Sequence, residues 1–295
     1  MFTTPTVTDG GLETDLIFHR GIDLPHFAAF PLLDDERGRQ VLADYYRPYS
    51  EIARRAGAAL LLEGATWRAN PDWGARVGYD RDALERVNRA SIAFLTDLRD
   101  RFAIDATTVG GSLGPRGDGY RPGDGTDPDE AADYHRPQLD AFAAAGADLA
   151  TAYTLTDPGE AIGIVRAARA AGIAIGICFT VETDGRLPDR TSLADAIRTV
   201  DDAAAPDHFG VNCAHPTHVA PALAEPGDWR ERIKVLRANA SRRSHAELDD
   251  ARDLDDGDPA ELARTQRELH LPAVTVVGGC CGTDARHVAA LWGVA

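Results

Sequence analysis

Lysine is almost absent from this chain, because Lys234 is the only lysine among 31 basic residues. Acidic residues number 47, so the formal net charge is −16 at pH 7. A surplus of negative charge this large repels the phosphates of nucleic acids and of anionic membranes. We therefore expect neither nucleic acid nor a membrane among the partners of this protein.

Long apolar runs are lacking as well, since none approaches the ~20 residues that a helix needs to cross a bilayer. The first residues, MFTTP, lack the basic and then apolar pattern of a signal peptide. Cysteine is scarce, and four cysteines in 295 residues are too few for a disulfide scaffold. These absences predict a cytoplasmic protein whose thiols are free. We expect it to be a monomer or a homodimer.

Short apolar segments alternate with amphipathic segments along the chain. The apolar segments have little polar alternation, as is typical of strands buried on both faces of a parallel sheet. They predict strands at 6–9, 58–64, 106–110, 148–153, 173–180, 207–212, 233–237 and 273–277. The amphipathic segments predict helices at 36–56, 81–101, 128–145, 158–171, 192–204, 216–224, 259–269 and 284–292.

Eight strands alternating with eight helices predict an α/β fold, a (β/α)8 TIM barrel. An open doubly wound sheet is the alternative. No long linker divides the chain, so we expect a single domain over residues 1–295.

Two of the predicted connections are unusually long. Residues 111–127 hold six glycines and two prolines, and residues 238–258 are polar and strongly acidic. In a barrel both follow strands, so both lie at the carboxyl ends of the strands, where active sites of this fold are found. We expect the first loop to be functional, whereas the second is equally compatible with function and with disorder.

Three of the four cysteines stand where a metal site can form. Cys213 follows the sixth predicted strand, and Cys280 and Cys281 follow the eighth. Neighbouring residues of a regular strand point to opposite faces, so one metal can bind both members of the pair only where the backbone leaves extended geometry. The flanking glycines allow this, since glycine reaches positive φ at little cost. The three thiolates would leave a fourth position open, which is the arrangement of catalytic zinc.

Soft thiolates select zinc or copper(I) over magnesium and calcium, and zinc is the metal we expect. Three thiolates make zinc a weak Lewis acid, better suited to holding a fourth thiol as its thiolate, the nucleophile in alkyl transfer to sulfur. Two alternatives stay open: a structural zinc site, and a disulfide or redox switch formed by Cys280 and Cys281. Cys178 lies within a predicted strand and is expected to be a core residue.

The motifs around these cysteines resemble those of the homocysteine S-methyltransferase family. That family includes betaine–homocysteine methyltransferases and the homocysteine domain of cobalamin-dependent methionine synthase. The resemblance rests on residues 277–283 (VGGCCGT), 210–213 (GVNC) and 9–14 (DGGLET), and it extends over residues 7–292.

The resemblance implies a zinc-dependent barrel in which the three cysteines, Cys213, Cys280 and Cys281, bind the metal. It also implies that Asp9 binds the amino group of a thiol amino acid, with the backbone of Gly10 and Gly11 close by. Asn212, in the same motif as Cys213, is expected to contact the substrate.

The chain departs from the family pattern near two strand ends. Where the family commonly has a Glu-Thr pair that helps to bind homocysteine, this chain has Tyr153 and Thr154. A phenol cannot pair with an ammonium as a carboxylate does, so we expect Glu63 to supply the missing charge; a salt bridge at the rim is the alternative. Thr66 and Trp67 are expected to wall the pocket, with a core position as the alternative for Trp67.

These expectations combine into a zinc-dependent S-methyltransferase. The methyl group would pass from a sulfonium donor, S-methylmethionine or S-adenosylmethionine, to homocysteine or a related thiol or selenol. The product would be methionine or another methyl thioether, as in methionine biosynthesis. No conventional general base is expected, because the zinc-bound substrate thiolate is itself the nucleophile. The alternative is a non-catalytic or redox barrel with a structural zinc site or a Cys280–Cys281 disulfide.

Overall fold

Eight parallel strands close into a barrel in the computed structural model, which describes residues 2–120 and 125–295. The strands are β1 (Thr6–Val7), β2 (Ala59–Glu63), β3 (Thr107–Leu113), β4 (Leu149–Leu155), β5 (Ile175–Phe179), β6 (His208–Asn212), β7 (Ile233–Ala238) and β8 (Val276–Gly279). Each pairs with the next in sequence, and Thr6 of β1 pairs with Val276 of β8. The predicted (β/α)8 barrel is confirmed, and the open sheet is wrong because its two edges are joined.

One principal helix follows each strand. These helices are Glu36–Ala56, Arg81–Phe102, Pro128–Ala144, Pro158–Ala171, Leu193–Ala204, Pro216–Ala222, Pro259–Glu268 and Ala285–Leu291. An aspartate side chain accepts a hydrogen bond from the first turn of six of them, which stabilises the helix start and uses part of the acidic surplus. The six are Asp35, Asp80, Asp127, Asp157, Asp258 and Asp284.

Shorter helices lie in the connections. They are the α-helical segments Leu12–Thr14, Pro71–Arg76 and His245–Asp249, the π-helical segment Asp15–His19, and the 3₁₀ segments Pro25–Phe27, Phe30–Leu33 and Asp228–Arg232. None of the helices in the described ranges is long and apolar enough to cross a membrane.

A small apolar cluster fills the inside of the barrel. Because its members come from five different strands, the cluster can form only where those strands face one another. It consists of Leu61, Leu149, Tyr153, Cys178, Val235 and Val276. Cys178 is fully buried there, so its predicted core position is confirmed.

The two long connections lie at the carboxyl ends of β3 and β7. Strand β3 continues to Leu113, three residues beyond its predicted end, so the loop after it is shorter than expected. Residues 121–124 of the predicted 111–127 loop lie outside the described residues. The segment 238–258 contains the helix His245–Asp249, which begins with a capping box formed by Ser244 and Glu247.

Candidate active site

The three cysteines that the sequence singles out meet at one end of the barrel. Cys213 directly follows β6 and Cys280 directly follows β8, with β7 between them. The three sulfur atoms lie within 4.8 Å of one another. Cys213 Sγ and Cys280 Sγ are in direct contact, and Cys213 Sγ lies 3.9 Å from Cys281 Sγ. Cys280 contacts Cys213, so the alternative of a disulfide between Cys280 and Cys281 is not formed. With their thiols free, the three cysteines can hold one metal ion.

The backbone reaches this arrangement in a way that differs from the prediction. Cys213 itself has a φ of 52°, and Gly282, after the pair, has a φ of 78°. Gly278 and Gly279 do not have positive φ; they are required by close packing. A Cβ atom on Gly278 would lie 2.5 Å from the Asp9 carbonyl oxygen, and one on Gly279 would lie 2.0 Å from Thr283 Oγ1. The expectation that glycine supplies positive φ is therefore right for Gly282 and wrong for the two before the pair.

The surroundings of Cys281 disfavour its thiolate unless a cation is present. Burial raises the pKa of the Cys281 thiol to about 11, although the Tyr120 hydroxyl, 3.6 Å from Cys281 Sγ, lowers it. A bound metal ion reverses this preference, because it deprotonates a coordinating thiol. Three sulfur donors fit a soft or borderline ion.

Polar side chains fix the segments that carry the cysteines. The Asn212 amide oxygen accepts from the Thr154 backbone N–H at 2.8 Å, and its nitrogen donates to Thr154 Oγ1 at 2.9 Å and lies 3.8 Å from Cys280 Sγ. Behind Cys213, His245 Nε2 lies 2.7 Å from the Cys213 carbonyl oxygen. The two strand ends are thus linked by side chains as well as by the barrel.

A cavity of about 300 Å³ opens beside the sulfurs. The three cysteines line it, together with most of the predicted substrate residues: Asp9, Gly10, Gly11, Glu63, Trp67, Tyr153 and Asn212. Thr66 is not among the lining residues. Its hydroxyl donates a hydrogen bond to the Ser112 carbonyl oxygen at 2.7 Å, so the side chain is bonded inside the protein. The prediction that Thr66 walls the pocket is therefore wrong.

A buried arginine organises the charges of the cavity. Arg237, at the end of β7, lies 2.6 Å from Asp9 Oδ1 through Nη2 and 3.4 Å from Glu63 Oε2 through Nη1. Its remaining bonds go to backbone carbonyl oxygens, from Nη2 to Gly10 at 3.0 Å and from Nε to Gly279 at 2.9 Å. One guanidinium therefore pairs with carboxylates contributed by two other strand ends.

Asp9 and Glu63 are both engaged before any ligand binds. Asp9 Oδ2 accepts from the Tyr45 hydroxyl at 3.0 Å, and Glu63 Oε2 accepts from the Tyr153 hydroxyl. Burial raises the pKa of Glu63, while the Arg237 charge lowers it. The side chain of Glu63 is only 2% exposed, so its ion pair lies inside the barrel mouth and not at an exposed rim.

Sequence reasoning missed several residues of this cavity. Arg68, Glu13, Asp118 and Tyr120 also line it, and burial raises the pKa of Glu13 to about 7. Arg237 was missed as well, although the sequence contains a signal for it: a charged residue at the end of an otherwise mostly apolar predicted strand.

Comparison with known proteins decides the family. The model of the homocysteine S-methyltransferase family matches residues 6–294. The chain belongs to the homocysteine S-methyltransferase family. Members of this family are methyltransferases, and this protein is one.

Curated relatives of the family align over nearly the whole chain. Homocysteine S-methyltransferase YbgG of Bacillus subtilis is 24% identical over 301 residues, which cover 96% of this chain and 91% of that protein. The homocysteine S-methyltransferase of Escherichia coli is 25% identical, over 96% and 93% of the two chains.

A crystal structure of a homocysteine S-methyltransferase has the same fold. The metallated form of the homocysteine methyltransferase MmuM from Escherichia coli superposes with a TM-score of 0.74 at 22% identity, over 99% of this chain and 96% of that one. Its oxidized form gives 0.73 at 23% identity. At this identity the likeness shows the fold, and the chemistry must be argued from the residues of this chain.

Proposed function

We propose that the protein is a zinc-dependent S-methyltransferase that moves a methyl group from a sulfonium donor to homocysteine or a related thiol or selenol. The observation that carries this proposal is the set of three cysteine sulfurs within 4.8 Å of one another in the wall of a cavity. The names of the curated relatives support homocysteine as the acceptor. S-methylmethionine and S-adenosylmethionine are the simplest donors.

Cys213, Cys280 and Cys281 would hold the zinc ion. When bound, zinc would keep an acceptor thiol deprotonated, as its thiolate, at neutral pH. The fit is supported by the donor set, which is entirely sulfur, and by burial of Cys281, which makes a cation necessary for a thiolate there.

The charges of the cavity suit a cationic donor. Its described lining includes five acidic residues and two arginines; the acids are Asp9, Glu13, Glu63, Asp118 and Asp249. An excess of acidic groups in the wall raises the local concentration of a cationic ligand. A sulfonium and the ammonium of an amino acid are both attracted there, with Asp9 and the Gly10–Gly11 backbone beside the acceptor and Glu63 held by Tyr153 and Arg237.

Methyl transfer itself then needs orientation more than proton transfer. The acceptor thiolate attacks the methyl carbon of the sulfonium, a new carbon–sulfur bond forms, and the donor carbon–sulfur bond breaks. The leaving thioether is neutral, so no side chain has to protonate it. Trp67, Tyr153 and Asn212 would contribute by holding the two substrates in line.

The rest of the proposal follows the sequence expectations. The enzyme would act as one domain over residues 1–295, as a monomer or homodimer, on small molecules alone. A reducing cytoplasm would keep the three thiols available for the metal.

Zinc content and activity test the proposal together. Protein purified under reducing conditions should hold about one zinc ion per chain and methylate homocysteine when S-methylmethionine or S-adenosylmethionine is added. Cys281→Ser should lose both properties, whereas the control Cys178→Ala, in the barrel interior, should keep both. Reduced protein without zinc would contradict the proposal, and zinc without methylation of any thiol would favour a structural metal site.

A further inference from the structure

In the part of the chain that the structure describes, Arg68 is a cation of the cavity wall without an ion-pair partner. Among the described residues, no carboxylate oxygen lies within 4.0 Å of its guanidinium nitrogens. Its Nε is buried with no hydrogen-bond partner, and Nη1 makes one long bond, 3.4 Å, to the Gly117 carbonyl oxygen. A shortage of acids does not explain this, since the chain has 47 acidic residues.

Two tryptophans fix the guanidinium in place. Its central carbon lies 4.2 Å from the centre of the Trp67 ring and 3.5 Å from that of Trp73. A planar guanidinium stacks well on indole faces, and such contacts orient it without neutralising its charge. Burial lowers the pKa of Arg68 to about 10, so it stays protonated at neutral pH.

The second cation of the described lining cannot serve an incoming anion. Arg237 already bonds to Asp9, Glu63 and two backbone carbonyl oxygens. Asp118 and Glu13 act on Arg68 only from beyond ion-pair distance. Among the described lining residues, Arg68 is therefore the cation whose charge is still available to a ligand.

We propose that Arg68 binds the carboxylate of a substrate in this cavity, so that the enzyme selects amino-acid substrates over analogues that lack the carboxylate. This inference rests on the proposed function and names the group that Arg68 recognises. A guanidinium binds a carboxylate through charge-assisted, often bidentate hydrogen bonds. The carboxylate can belong to the thiol acceptor or to the sulfonium donor, and the experiment separates the two.

The test compares Arg68→Gln with a matched control, Arg76→Gln. Arg76 also stacks on Trp73, at 4.2 Å, but it is exposed and does not line the cavity. KM is measured for homocysteine and for its carboxylate-free analogue 3-aminopropanethiol, and likewise for S-methylmethionine and its carboxylate-free analogue, (3-aminopropyl)dimethylsulfonium.

Arg68→Gln should raise the KM of the substrate whose carboxylate it binds by about 10- to 100-fold, the effect of losing a hydrogen bond to a charged group. The KM of the analogue without the carboxylate should not change, and Arg76→Gln should alter none of the four values. Arg68→Lys should raise this KM less than Arg68→Gln does, because lysine keeps the charge but cannot form the bidentate hydrogen bonds of a guanidinium. An increase for homocysteine alone identifies the acceptor, and one for S-methylmethionine alone identifies the donor.

The proposal would be overturned if Arg68→Gln changed the KM of substrates with and without a carboxylate equally. It would also be overturned if the variant changed none of these KM values. Either result would mean that Arg68 only supports the tryptophans. Calorimetric binding of methionine and methioninamide tests Arg68 independently of turnover. If the wild type transfers no methyl group, the proposed function fails, yet a preference for methionine that disappears in Arg68→Gln would still support the carboxylate site. A wild type that neither turns over nor prefers methionine would overturn both.

Discussion

At the scale of single residues, Arg237 explains how two acids can be buried together in the barrel mouth. A buried carboxylate is costly unless it is paired and hydrogen-bonded. Arg237 pairs with Asp9 and Glu63, and the tyrosines Tyr45 and Tyr153 donate to the same two carboxylates. In the proposed function, an ammonium that reaches Asp9 would share it with Arg237, so recognition of the amino group would depend on this network.

Removal of the Arg237 charge should destabilise the fold strongly. Arg237→Gln leaves Asp9 and Glu63 buried without their cation, so we expect the free energy of unfolding, measured in urea, to fall by about 3–5 kcal/mol. Glu63→Gln in the same background should recover part of this loss, because one uncompensated charge is then removed.

A surface ion pair provides the control. Arg198 pairs with Glu225 at 2.7 Å in an exposed position, and Arg198→Gln should change the stability little. Equal losses for the two single variants, or no recovery in the double variant, would contradict the assigned role of the Arg237 network.

The cysteine cluster could be predicted because the strand pattern predicts a barrel, and a barrel places Cys213, after β6, at the same end as Cys280 and Cys281, after β8. Three cysteines at these strand ends, with glycines around the adjacent pair, indicate a metal site. Arg237 was visible as a charge ending an apolar strand, but its partners come from the ends of β1 and β2. Only the closed barrel brings those ends together, so the network could not be derived from sequence spacing.

At the scale of elements, two strand ends turn by means of non-glycine residues with positive φ. Thr154, near the end of β4, has a φ of 62°, and Cys213, after β6, has a φ of 52°. Such residues are strained and persist where the surroundings hold them. Asn212 holds both ends, because it bonds to the backbone and the hydroxyl of Thr154 and precedes Cys213.

Asn212→Ala should therefore weaken zinc binding. The variant loses the donor near Cys280 Sγ and the bonds that fix Thr154, and loss of such supporting contacts costs about 10- to 100-fold in metal affinity. Competition with a chromophoric zinc chelator measures the dissociation constant.

Asn88→Ala is the matched control for Asn212→Ala. Asn88 is also buried, and its amide nitrogen donates to the carbonyl oxygens of Ala69 and Leu84 at 3.0 and 2.9 Å. Its loss should lower stability and leave zinc affinity unchanged. An unchanged affinity in Asn212→Ala, or an equal decrease in Asn88→Ala, would show that the contact with Cys280 does not matter.

Regular elements were predicted well and the connections less well. The helices Glu36–Ala56 and Pro158–Ala171 match their predicted bounds, because apolar periodicity, an N-terminal aspartate and a C-terminal glycine agree at both. The helix His245–Asp249 was missed within an acidic segment, although its capping residues Ser244 and Glu247 have the required spacing. Five residues give no apolar periodicity, and contacts with the barrel stabilise the turn instead, since His245 lies buried beside Cys213.

At the scale of the whole molecule, barrel closure brings two long connections together over the cysteines. Tyr120, after β3, stacks on His245, after β7, with ring centres 4.1 Å apart. The Tyr120 hydroxyl lies 3.6 Å from Cys281 Sγ, and His245 lies against the Cys213 carbonyl oxygen. Both segments that stand out by length in the sequence thus contribute to the cavity end of the barrel.

Zinc should consequently stabilise the whole barrel and not only the site. Its three proposed ligands come from the ends of β6 and β8, which meet only in the folded chain, so zinc would bind the native state preferentially. At a free zinc concentration 100-fold above the dissociation constant, the free energy of unfolding should rise by about 2.7 kcal/mol. Zinc binding to Cys280 and Cys281 of the unfolded chain would reduce this increment. Urea unfolding in the presence of a reductant, with and without zinc, measures this increment.

Cys281→Ser should lose most of this increment. Cys178→Ala should be less stable both with and without zinc, and should keep the increment. An increment that survives in Cys281→Ser would mean that zinc binds elsewhere on the protein.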